Sequence, residues 1–256
     1  MASWWQRVGL LVLILPMLAM AEPWRQPSYI EQAFMTVALG REYQQDVDYL
    51  VKWQQGLRVF IRHQVKVEPL HVTLVTSHLE QLAEITGLNI DLVTEESAAN
   101  VVITFTEQAK WQPLIASELG LDTSKLLHGS VCLANIAEKN GRIEFARVYI
   151  PVDLARFHGK LVACVVEELT QILGLPNDSD TVFPSIFNDN SVNNLLTGLD
   201  WLLLRLLYQP ELVAGSRYGA VQVQTRAILL RWQQDGTLAN AVQAVRRGKL
   251  YPLLGY

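Results

Sequence analysis

Glu167, Glu168, Gln171, Gly174, Asn177 and Asp178 have the types and spacing of a reactive helix end. On an α-helix, positions 167 and 171 lie one turn apart on one face, with 168 beside them. Gly174 and Pro176 are helix stops, so Asn177 or Asp178 would swing back toward that face. Two chemistries fit. In the first, oxygens of this set hold a hard divalent cation such as calcium, magnesium or manganese, with Glu167 and Asp178 as the carboxylate candidates. Zinc is disfavoured, because it prefers imidazole and thiolate. In the second, no metal takes part: Glu168 acts as general base on water, with Glu167 beside it, while Gln171 or Asn177 donates an amide N–H to a developing oxyanion. The plain alternative is a solvated helix face, the usual fate of adjacent glutamates. His63, His71, His78, His128 and His158 show no ligand spacing and are expected to be surface or satisfied core residues.

The elements that must position this set follow from hydrophobic period and punctuation. Ser28 can cap a helix from Tyr29, and a polar stretch from Gly40 to Asp48 follows. Leu57–Arg62 alternates as a strand, Leu88–Val93 reads as a second, and Asn100–Phe105, rich in β-branched residues, as a third. Between the first two, Val72, Val75, Leu79, Leu82 and Ala83 form a helical stripe over His71–Thr86, closed by Gly87. A helix is expected around Leu114–Leu119. Gly129–Ile136 and Ile143–Ile150 then read as strands joined by a turn at Lys139-Asn140-Gly141. The helix with the acidic pair spans about Gly159–Leu173. Thr197 and Asp200 make a capping box for a helix apolar nearly all round, which must therefore be buried. Arg205 inside it is expected to pair with Asp200 or with Glu167 or Glu168. Two amphipathic helices, about Val221–Trp232 and Leu238–Arg246, follow. Trp53, Trp111 and Trp201 read as packing residues.

The first 21 residues read as a secretory signal, with Arg7 in the n-region, an apolar run from Val8 to Leu18 and Ala19-Met20-Ala21 before Glu22. This predicts a periplasmic or secreted protein that meets a membrane only through export. A net charge of −4 and the absence of a basic run argue against a nucleic-acid partner. The two cysteines, Cys132 and Cys164, are expected to form a disulfide in an oxidising compartment.

The element order strand, helix, four strands, acidic helix resembles the amino-terminal lobe of a metzincin, a zincin-type peptidase. Against the pattern H-E-x-x-H-x-x-G-x-x-H, Glu168 and Gly174 stand, while Glu167, Gln171 and Asn177 occupy the histidine positions. Ser185-Ile186-Phe187 lies where a metzincin has its Met-turn, with Phe187 in place of Met. The combination resembles the exported family known as domain of unknown function 2927, whose pattern E-E-x-x-Q-x-x-G-x-x-N-D is matched from Glu167 to Asp178.

The resemblance implies an α+β, zincin (metzincin)-like fold: a mixed five-stranded sheet with two long helices in the upper lobe, and a mostly helical lower lobe. The expected division is a signal peptide (1–21), a zincin-like domain (22–212) and a helical extension packed on the lower lobe (213–256). The expected function is a pseudopeptidase that binds a peptide or an envelope protein in its cleft. The alternative is an atypical peptidase-type hydrolase with Glu168 as base, using an oxygen-ligated metal or none.

Overall fold

The computed structural model describes residues 22–40, 49–125, 127, 129–188 and 190–256. Residues 1–21, on which the expected signal peptide falls, the stretch 41–48 and His128 lie outside the described residues. After a short 3-10 turn at Pro23–Arg25 the elements are α1 (Pro27–Leu39), β1 (Leu57–His63), α2 (Pro69–Thr86), β2 (Ile90–Leu92), β3 (Val101–Thr106), α3 (Gln108–Leu119) and α4 (Leu121–Lys125). Next come β4 (Leu133–Lys139), β5 (Arg142–Pro151), α5 (Val152–Phe157) and α6 (Leu161–Gln171). The chain ends in α7 (Gly198–Leu207), α8 (Tyr218–Gln234), α9 (Thr237–Val245) and α10 (Leu250–Leu253).

The sheet is mixed and five-stranded, in the order β2-β1-β3-β5-β4. β1 pairs in parallel with β2 and β3, and β3 pairs in parallel with β5. Among the described strands only β4 runs antiparallel, at the edge beside β5. The β4–β5 turn needs positive φ at both central residues, and Asn140 and Gly141 supply it at 55° and 80°. β3 is buried at all six positions, as expected of a central strand covered on both faces. Val148 and Ile150 of β5 join the main core with α2 and α6, whereas Tyr149 joins a small second core with Trp111, Ile115 and Leu127. Successive side chains of a strand point to opposite faces, so α3 covers the face away from α2 and α6. From the last turn of α3, Glu118 accepts from Tyr149 at 2.6 Å and pairs with Arg62 and Arg147.

The helical half is built on α7, which is buried all round except at Arg205. α1 packs on α7 and α8, and α9 on α7 and α8. The capping box is present: Asp200 N donates to Thr197 Oγ1 at 3.3 Å, and Thr197 N donates to Asp200 Oδ2 at 2.7 Å. Asp200 also accepts from Ser185 Oγ at 2.6 Å and Ile186 N at 3.2 Å. Among the described residues it makes no ion pair with Arg205, so the first of the two kinds of partner expected for that arginine is not taken up. The Arg205 guanidinium lies over the Trp201 ring instead, 5.0 Å from its centroid.

Several boundaries depart from the sequence reading. α1 starts at Pro27, with Gln26 rather than Ser28 as N-cap, and α2 starts at Pro69 instead of His71. Proline lacks the N–H that a first helical turn leaves unused, so it suits that position. β4 begins at Leu133, not Gly129, whose φ of 90° belongs to the preceding turn. Pro151 ends β5 and also caps α5, a short helix that the apolar pattern did not reveal.

Candidate functional site

α6 exists because its apolar positions face the sheet: Leu161, Cys164, Val165, Val166 and Leu169 all belong to the main core. Its start is stapled to the beginning of β4 by Cys132–Cys164, with a Cα–Cα distance of 5.8 Å. Its far end is a dense knot. Gly174 has φ 114°, and a Cβ there would sit 2.1 Å from the carbonyl oxygen of Val51. Terminal helix carbonyls lack intrahelical donors. Here Trp53 Nε1 donates to Ile172 O at 2.8 Å, and Tyr208 Oη donates to Leu173 O at 2.8 Å. Beside them Lys52 Nζ donates to Leu207 O at 3.0 Å and Gln209 O at 3.3 Å, closing α7. Burial pushes the Lys52 ammonium down to about 8.

The acidic signature splits three ways on this scaffold. Glu168 is 5 % exposed and Glu167 half-buried. Gln171 and Asp178 are brought together, Gln171 Nε2 donating to Asp178 Oδ1 at 2.9 Å. Asn177 does not turn back toward them. Its Nδ2 donates to Thr36 O at 3.1 Å and its backbone N–H to Val37 O at 3.2 Å, so it caps the end of α1. Gly40 lets it approach, because a Cβ at Gly40 would meet Asn177 Nδ2 at 2.4 Å. Asn177 also lines a groove of about 570 Å³ between α1 and α8, with Gln32, Thr36, Tyr218 and Gln222. Glu167, Glu168, Gln171 and Asp178 are not part of its lining.

Among the described residues no three His, Cys, Asp or Glu side chains come together to hold a metal ion. A zincin-type zinc needs three protein ligands. The three positions supply a carboxylate, an amide already bonded to Asp178 and an amide turned onto α1. This donor set does not fit zinc. What the arrangement offers is a buried carboxyl at Glu168 beside a Gln171–Asp178 clasp.

One side chain at α6 escaped the sequence reading in its role. His78 of α2 is fully buried with Nε2 3.0 Å from Val166 O and 3.1 Å from Thr170 Oγ1, and burial pushes it down to about 4. A histidine within the apolar stripe of α2, two turns after His71, was its only signal. His63 and His71 stack with Phe105, at centroid distances of 5.3 and 4.5 Å, and burial lowers both below the ordinary imidazole value. Trp53, Trp111 and Trp201 are all core residues. Phe187 is wholly buried, with its N–H donating to Ser185 Oγ at 3.0 Å.

No curated protein matches the chain. A family model described as "Protein of unknown function (DUF2927)" matches residues 27–227, from the first turn of α1 past Leu212 into α8. That span takes in the whole sheet, α6 and its acidic signature, and the chain belongs to the DUF2927 family.

Proposed function

We propose that the protein is a non-catalytic binding protein of the cell envelope, built on a zincin-like scaffold and capturing an extended peptide along the free edge of β4. Support for the scaffold comes from the strand order β2-β1-β3-β5-β4, the single antiparallel edge strand and the helix α6 that follows β5. Export to the periplasm or beyond rests on the signal-like first 21 residues. The binding reading rests on one observation above all: among the described residues β4 pairs with β5 alone, at one end of the sheet, seven residues long where β2 at the other end has three. An unpaired strand edge is a template for an added strand, with main-chain hydrogen bonds for affinity. The disulfide at Cys132 anchors this strand to α6, so the edge is held in place before a ligand arrives.

The edge can be tested through its own geometry. Successive N–H groups of an antiparallel strand point alternately to the neighbouring strand and away from it. Of Ala134→Pro and Asn135→Pro, one removes a ladder donor to β5 and lowers the melting temperature. The other removes an edge donor, and it is expected to keep the wild-type melt while losing affinity for an extended-peptide library measured by fluorescence anisotropy. Equal peptide binding by both folded variants would refute edge capture.

One observation favours a second reading. Glu168 is nearly withdrawn from solvent at 5 % exposure, a setting in which a carboxylate can serve as general base in a peptidase-type hydrolysis. The same peptides, followed by mass spectrometry, separate the two. Cleavage that Glu168→Gln abolishes while capture persists would assign the protein to the hydrolases.

A further inference from the structure

The carboxyl ends of β1 and β5 hand the chain to α2 and to α5 and α6, and this end of the molecule carries three large apolar side chains in the open. Val67 is 61 % exposed, Leu70 44 % and Phe157 84 %. The two segments that bear them are tied together, since Arg156 Nη1 donates to Glu68 Oε1 at 3.1 Å. Lys66 precedes Val67, and Lys160 follows Phe157 as the N-cap of α6. Neither lysine has an ion pair among the described residues. Glu68 is neutralised by Arg156, Asp153 accepts from the N–H of Gln108 at 2.8 Å, and Glu107 next to it pairs with Lys110. α6 begins here behind Lys160 without an acidic residue in its first turn, so its dipole adds to the positive potential, whereas α2 has Glu68 as its N-cap and α5 has Asp153 in its first turn.

Scattered apolar residues are ordinary on a protein surface. A group of three flanked by two lysines without an ion pair among the described residues, on a chain of net charge −4, is a charge-separated amphipathic face. We propose that this end docks on an anionic phospholipid surface, with Phe157, Leu70 and Val67 entering the acyl boundary and Lys66 and Lys160 meeting the headgroup phosphates. A protein partner would have to offer an apolar concavity shaped to three projecting side chains, whereas fluid lipid admits them without one. The proposal is independent of peptide capture, and it goes beyond the expectation that the chain meets a membrane only during export.

Flotation of the chain from Glu22 onward, which holds all the described elements, provides the test. Its vesicles are either phosphatidylcholine alone or equal parts phosphatidylcholine and phosphatidylglycerol. The protein is expected to float with the anionic vesicles only, and to be released as salt rises. Phe157→Ser combined with Leu70→Ser, and separately Lys66→Glu combined with Lys160→Glu, should each lower the partition about tenfold or more. Leu230→Ser, an exposed control on α8, should leave it unchanged. All five positions are at or near the surface, and unchanged melting curves will show that the variants fold. Absence of binding to anionic vesicles, or full binding by either double variant, overturns the proposal. So does self-association that disappears with Phe157→Ser when no vesicle is bound, which would assign the face to a second copy of the chain.

Discussion

Gly174 shows how a residue with no side chain can decide a helix end. The chain must turn with φ 114° within van der Waals reach of the Val51 carbonyl, and only glycine does both without strain. Gly174→Ala should therefore cost well beyond the ordinary helix penalty, about 3 kcal/mol or more. Chemical denaturation would check this, and a cost below 1 kcal/mol would mean the turn is not held as described. The same scale explains why the signature cannot be read as a metal site in reduced form. Gln171 spends its amide on Asp178 and Asn177 spends its amide on Thr36. Both are polar positions doing structural work between elements, which accounts for oxygen-bearing side chains where decay alone would favour apolar ones.

At the scale of elements, the junction of α6 with the edge of the sheet rests on Cys132–Cys164, which spans 32 residues of sequence. The bond closes a loop that contains all of β4 and β5, and a loop of that length is worth about 3–4 kcal/mol through the unfolded chain. Replacing both cysteines by alanine should lower unfolding stability by about that amount, and reductant should leave the variant unaffected while destabilising the wild type. A reductant-insensitive wild type would show that the pairing contributes nothing. The β4 edge gains most from this staple. Like β2 it has a single neighbour in the sheet, and its register shift at Ala137/Glu138 is the kind of irregularity that guards an edge against indiscriminate pairing.

For the molecule as a whole, two buried groups set opposing responses to pH. Burial pushes His78 down to about 4 from 6.5, so the fold prefers neutral imidazole. Its contribution is complete above pH 6.5 and is lost as pH falls toward 4. Burial pushes Asp200 up to about 6 from 3.8, against the hydrogen bonds from Ser185, Thr197 and Ile186. Its contribution is complete below pH 3.8 and is lost as pH rises through 6. Each shift corresponds to about 3 kcal/mol, and the windows overlap, so the two responses largely offset each other. The lowered values of His63 and His71 add a net loss on acidification. In urea titrations, the stability gap between wild type and His78→Gln should narrow by about 3 kcal/mol between pH 6.5 and 4. The gap to Asp200→Asn should widen over the same range. A constant gap for His78→Gln would contradict its burial as the neutral form.

Element types and the capping box were legible in the chain because they depend on local rules. Apolar period, β-branched runs, Gly87, Asn140-Gly141 and the Thr197–Asp200 pair each act within a few residues. The acidic signature was legible as a motif on a helix that ends at a glycine. Its roles were not. Whether Asn177 faced Gln171 or α1, and what capped Ile172 and Leu173, depended on Thr36, Trp53 and Tyr208, which stand 141, 119 and 35 residues away from their partners. Side chains with several donors and acceptors take whichever partners packing brings within about 3 Å, and packing is a property of the folded chain. Periodicity therefore determined which elements form, and tertiary contact alone decided what their polar residues do.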